Sequence, residues 1–122
     1  MAVNISKAEL EIMKVLWRQD GAGATEVHEA LERDHDWNIR TVKTMLSRLV
    51  EKGALNTSPD GRRFRYHPMI SETDFKQAET RQFVDRIFAG RAAPLVAHLA
   101  DARGLTDQDI QDLEALLGKL KS

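Results

Sequence analysis

Apolar residues recur at helical spacing in three stretches early in the chain and again, more loosely, from residue 71 onward. Ser6-Lys7-Ala8-Glu9 has the Ser-x-x-Glu spacing of a capping box, in which two side chains satisfy the free amides at a helix start. Behind it Leu10, Met13, Leu16 and Trp17 return at helical intervals, and Gly21 and Gly23 end the segment. Gly23 can cap a second helix, whose apolar stripe is Val27, Ala30 and Leu31. A third helix starts at Asn38, a good N-cap, and carries Val42, Met45, Leu46, Leu49 and Val50 at i, i+3, i+4, i+7 and i+8. Those five share one face. Arg40, Thr44 and Ser47 fall nearly opposite, with Lys43 and Arg48 on the shoulders, and Gly53 can stop the helix in a left-handed conformation.

Beyond Gly53 the period changes from helical to two. Ala54-Leu55-Asn56-Thr57 leads into Ser58-Pro59-Asp60-Gly61, a tetrad with strong turn chemistry. Phe64 and Tyr66 then alternate with Arg63 and Arg65, which predicts a half-buried strand and a short β-hairpin with a basic outer face. Helical character returns at Ser71, whose pairing with Asp74 is another cap, followed by Phe75, Ala78, Phe83, Val84, Ile87 and Phe88. Gly90 and Pro94 break off a short helix through Leu95, Val96 and Leu99. Thr106 with Asp109 caps a last helix bearing Ile110, Leu113, Leu116, Leu117 and Leu120, with Leu105 and Ile110 placed as a hydrophobic staple. The expected class is mainly α with a small β-hairpin.

Composition narrows the chemistry. A chain of 122 residues with 42% hydrophobic and 30% charged positions can build a core. With no cysteine, disulfides, thiolate metal sites and thiol nucleophiles are excluded. The first residues lack a basic-then-apolar leader and no run is long enough for a membrane helix, so a cytoplasmic protein is expected. Net charge is only −1, but it is unevenly spread. Residues 38–70 carry 7 basic and 2 acidic side chains, net +5, between flanks of net −4 and −2. A local patch of this kind, rather than the total, is what attracts phosphate.

Three helices followed by a two-stranded wing is the order of a winged helix-turn-helix, whose helix before the hairpin enters the DNA major groove. That helix must bury one face to be held rigidly and offer short polar and basic groups on the other. Residues 38–52 meet both demands. Arg40 and Lys43 lie in the first turns, where bases are reached, and Thr41, Thr44 and Ser47 can donate to phosphates. Arg62, Arg63 and Arg65 on the hairpin are placed to touch flanking backbone or a minor groove. A polar helix face alone is usually a solvated face; the basic hairpin that follows is what tips the reading toward DNA.

The stretch Ile5-Ser6-Lys7-Ala8-Glu9-Leu10-Glu11-Ile12-Met13-Lys14-Val15-Leu16-Trp17 closely resembles the start of the penicillinase and methicillin-resistance repressors, the BlaI/MecI/CopY family. So do Trp37 through Leu49, Lys52-Gly53-Ala54-Leu55, and the wing segment Gly61-Arg62-Arg63-Phe64-Arg65-Tyr66-His67-Pro68. The resemblance runs from Ile5 to Leu120 and is most specific in the first seventy residues. It implies a homodimeric transcriptional repressor with a winged-helix DNA-binding domain over residues 1–70 and a helical dimerisation domain over residues 71–122. Arg40, Thr41, Lys43 and Thr44 match the family's recognition-helix positions and are expected at a palindromic operator. Phe83, Ile87, Leu95, Leu99, Ile110, Leu113, Leu116, Leu117 and Leu120 are expected to fill a core shared by two subunits. A helical extension with so much apolar surface needs cover in any case.

Two departures bear on the signal. Copper-responsive members carry Cys-x-Cys pairs that this chain lacks, and no cofactor or metal is expected. The Asn–Phe bond cleaved in β-lactam-responsive members corresponds here to His98-Leu99. The expected inducing event is proteolysis at another bond, a ligand in the dimer cleft, or titration by a partner. His28, His35, His67 and His98 share no metal-ligand spacing, and Asp34-His35-Asp36 reads as a solvated loop. Gly21-Ala22-Gly23 lacks the Lys-Ser/Thr of a phosphate loop, and no carboxylate pair or nucleophile elbow marks an enzyme. Trp17 and Trp37 read as core or helix-junction residues. The rival reading is a winged helix used as a protein-interaction module, its basic face on an acidic protein partner.

Overall fold

The computed structural model describes residues 3–122. Elements follow in the order α1 (Lys7–Gln19), β1 (Ala22–Gly23), α2 (Ala24–Leu31), α3 (Ile39–Glu51), β2 (Leu55–Asp60), β3 (Arg63–Pro68), α4 (Glu72–Phe88), α5 (Ala92–Ala102) and α6 (Asp107–Lys121). Two compact units result, Met1–Glu79 and Thr80–Ser122.

The caps read from sequence form as hydrogen bonds. In α1 the Glu9 amide donates to Ser6 Oγ at 3.1 Å and the Ser6 amide donates to Glu9 Oε1 at 2.9 Å. Asn38 Oδ1 accepts from the Thr41 amide at 2.9 Å, and Ser71 Oγ from the Asp74 amide at 3.0 Å. The chain leaves α1 through Asp20 and Gly21, at φ of 52° and 98°. A Cβ on Gly21 would stand 2.6 Å from His67 Nδ1, so this glycine is required both by its backbone angle and by the close passage of β3.

In the first unit the core lies where α1, α2 and α3 meet the inner side of the wing. Ile12, Met13, Leu16, Val27, Val42, Leu46, Leu49 and Leu55 are buried there. Full burial of a side chain of this size is worth about 1.5–3 kcal/mol, so α3 is held chiefly by Val42, Leu46 and Leu49. Trp17 Nε1 donates to the Ile70 carbonyl at 2.9 Å, and its ring lies 5.6 Å from that of Phe75. That contact groups the first turns of α4 with this unit.

The hairpin is part of a three-stranded antiparallel sheet with order β1-β3-β2. The third strand, β1, is only Ala22–Gly23, paired with Tyr66 and Arg65. Two residues between glycines leave no period to read, and the sequence gives them only as helix punctuation. The turn also falls later than the Ser58–Gly61 tetrad predicts. Ser58, Pro59 and Asp60 continue β2 opposite Arg65, Phe64 and Arg63, leaving Gly61-Arg62 as a two-residue connection with Gly61 at φ 65°. Pro59 is tolerated because β2 is an edge strand. Phe64 is 56% exposed rather than half-buried: β1 ends level with Arg65, and the tip of β3 runs on beyond it without a neighbouring strand on that side.

In the second unit the Phe83 and Phe88 rings lie 5.9 Å apart, and Phe88 and His98 5.4 Å apart. Pro94 does not break α5 but sits in its first turn, where its missing N–H costs nothing. Thr106 and Asp109 form the predicted capping box of α6. Phe83, Ile87, Leu99, Ile110, Leu116, Leu117 and Leu120 are exposed on this single chain, while Leu95 and Leu113 are half-buried. Leu99, Leu105, Leu113 and Leu116 line an open cleft of about 410 Å³ between α5 and α6, with Arg103, Asp109 and Asp112 at its rim.

Candidate nucleic-acid interface

Helix α3 is divided as its pattern predicts. Val42, Met45, Leu46 and Leu49 point into the core, and Arg40, Thr41, Lys43, Thr44, Ser47 and Arg48 are exposed. Ile39, Arg40, Lys43, Thr44 and Ser47 line a shallow groove of about 350 Å³ along the outer face. Lys43 also borders a second cleft, of about 340 Å³, between the start of α2 and the tip of the wing. Arg62, Arg63 and Phe64 line it from the wing, and Thr25 and Glu26 from α2. Lys43 therefore joins the helix and wing contributions into one continuous surface. Thr41 and Arg48 are exposed but line neither depression.

Electrostatically this surface is open to an anion. Among the described residues Arg40, Lys43, Arg48, Arg62 and Arg63 form no ion pair. Arg65 differs from its neighbours. Its Nη2 donates to the Gly21 carbonyl at 3.0 Å and its Nη1 lies 4.0 Å from Glu26 Oε1. This arginine ties β3 to the α1–α2 connection and does not line the cleft with Arg62 and Arg63. Alternation along β3 gave Arg63 and Arg65 the same role; the unforeseen strand β1 is what separates them. Thr44 also has a commitment, since its Oγ1 donates to the Arg40 carbonyl at 3.0 Å.

The approach to α3 is braced from behind. His28 Nε2 donates to the Trp37 carbonyl at 2.9 Å, and the His35 ring stacks on Trp37 with centroids 4.1 Å apart. His35 Nε2 lies 3.6 Å from Glu11 Oε1, so Asp34-His35-Asp36 is not the wholly solvated loop expected. At the other end of α3, Lys52 pairs with buried Glu9 and donates to the Asn4 carbonyl at 2.9 Å. Burial pushes the Glu9 carboxyl up, but hydrogen bonds from Lys52 and from the Ser6 amide and hydroxyl, with the Lys52 charge, hold it below its ordinary value. Lys52 is therefore a structural cation, while Arg40 and Lys43 remain free to meet a ligand.

Sequence reasoning missed Ile39, Thr25, Glu26 and Phe64 as lining residues. The N-cap at Gly23 was legible, but its proximity to the wing depends on the two-residue β1 pairing. Among the described residues no group of three or more His, Asp or Glu side chains could hold a metal, and no helix is long and apolar enough to cross a membrane.

Comparison with known proteins accords with this geometry. A family model described as Penicillinase repressor matches residues 5–119. The Penicillinase repressor of Bacillus licheniformis is 36% identical over 118 residues, covering 97% of this chain and 92% of its own length. The solution structure of the DNA-binding domain of the repressor BlaI aligns with TM-score 0.55 and 44% identity, over 61% of this chain and 90% of that one. The Bacillus licheniformis BlaI monomeric form, solved in complex with the blaP half-operator, aligns with TM-score 0.52 and 46% identity over 58% of this chain and 87% of that one. With the match running from just ahead of the capped start of α1 into the last turn of α6, the chain belongs to the penicillinase repressor family.

Proposed function

We propose that this chain is a DNA-binding transcriptional repressor that acts in the cytoplasm as a homodimer on a palindromic operator. The family is one of repressors and not of enzymes. The observation that carries the reading is the continuous surface of Arg40, Lys43, Thr44, Ser47, Arg62 and Arg63, all exposed and its cations unpaired, on a rigidly buried recognition helix. Arg40 and Lys43 read base edges, Arg62 and Arg63 attract flanking phosphates, and Thr41, Ser47 and Arg48 add backbone contacts. A relative of high identity in this region was solved on a half-operator, which supports the same docking here. The exposed leucines and isoleucines of the second unit, with Phe83, are the surface on which two subunits meet. A protease or a ligand acting on that unit would lift repression by separating them.

The test is selection of bound fragments from genomic DNA by the purified protein, with affinity followed across salt. The expected result is one enriched palindrome. Affinity should fall with a log–log salt slope of about −3 per subunit, from roughly three phosphate-facing cations, Arg48, Arg62 and Arg63, at about −0.9 each. Weak binding with no sequence preference would overturn the reading and favour an acidic protein partner for the basic face.

A further inference from the structure

Thr44 sits in the middle of the exposed face of α3, between Arg40 and Ser47, and lines the groove there. Its hydroxyl hydrogen is already used. Oγ1 donates to the Arg40 carbonyl one turn back, at 3.0 Å, the local bond that Ser and Thr side chains make inside helices. A threonine held this way has no proton to offer a phosphate or a base acceptor. Its methyl group, carried by the same Cβ, becomes the part available for contact. Ile39, half-buried at the start of the helix, extends the apolar part of the same groove.

In the major groove only one base presents an apolar group at its edge, thymine through its 5-methyl. We infer that Thr44 reads a thymine through a methyl–methyl contact and not through its hydroxyl, so that the preferred half-site carries a thymine beside the bases met by Arg40 and Lys43. This inference rests on the DNA-binding reading above and deepens it. The hydroxyl's role is internal: by bonding the Arg40 carbonyl it holds the threonine rotamer.

Methyl and hydroxyl can be separated at both partners. The probe is the tightest duplex selected by the full-length protein from a random DNA library, with each thymine replaced in turn by deoxyuridine, which lacks only the 5-methyl. Wild-type protein should lose about fourfold in affinity at one thymine per half-site, the worth of one buried methyl. Thr44→Ser, which keeps the hydroxyl and loses the methyl, should bind the unmodified duplex about fourfold more weakly and become indifferent to that replacement. Thr44→Val, which keeps a methyl and loses the hydroxyl, should keep the sensitivity to that replacement. The inference is overturned if Thr44→Val loses the sensitivity while Thr44→Ser keeps it, if no thymine replacement matters, or if the selected site has no thymine. A library that yields no preferred sequence overturns the DNA-reading function itself, a different outcome from selective binding that ignores thymine methyls.

Discussion

Glu9 is a carboxylate buried to 3% exposure, at the junction of the α1 start and the α3 end. Burial alone would push its pKa up, yet the hydrogen bonds from Lys52 and Ser6 reverse that tendency and hold it below the ordinary 4.5. A lowered native value means that the ionised group stabilises the fold at pH above 4.5 and that this contribution drains away as pH falls through the native value. Glu9→Gln should therefore cost about 1–3 kcal/mol at pH 7, because Lys52 and the Ser6 donors lose a charged acceptor. The gap between mutant and wild type should narrow at pH 3. Urea midpoints of both proteins at the two pH values check this, and an equal gap at both would refute it.

At the scale of elements, the function proposed above divides the work of binding between α3 and the wing. Arg40 is exposed in the first turn of α3; with the base-reading role proposed for it above, its truncation to alanine should flatten the preference among operator variants by about 1–3 kcal/mol at one position. Arg63→Ala should instead weaken every duplex nearly alike and reduce the salt slope by about 1. Competition titrations with matched and scrambled duplexes at two salt concentrations separate the two effects; a loss of selectivity from Arg63→Ala would reverse the assignment. The helix caps, the two faces of α3 and the hairpin could all be read from sequence, because each depends on residues a few positions apart. The separate fate of Arg65 could not. It is set by pairing between Gly23 and Arg65, 42 positions apart in the chain, through a strand too short to show a period. Phe64 escaped for the same reason, since alternation says which residues share a face and not where the cover ends.

For the molecule as a whole, the second unit displays far more apolar side chain than a helical segment of its size leaves to water. Under the homodimer proposed above, Leu117→Asp places a charge in the shared core. Sedimentation should then report a monomer where the parent chain is a dimer, and affinity for a full palindrome should drop about a hundredfold toward that for a half-site, as linked binding is lost. A parent chain that sediments as a monomer at all concentrations would sink the proposal. A final consequence follows from Pro59. Wings carrying bare strand edges are templates on which neighbouring copies can zip together. On the outer strand β2 the proline withholds an amide from that edge, so the ladder has a missing rung for any newcomer. The ring thereby makes a basic, aromatic-tipped hairpin a poor template for its own kind, while leaving its arginines open to the DNA proposed above.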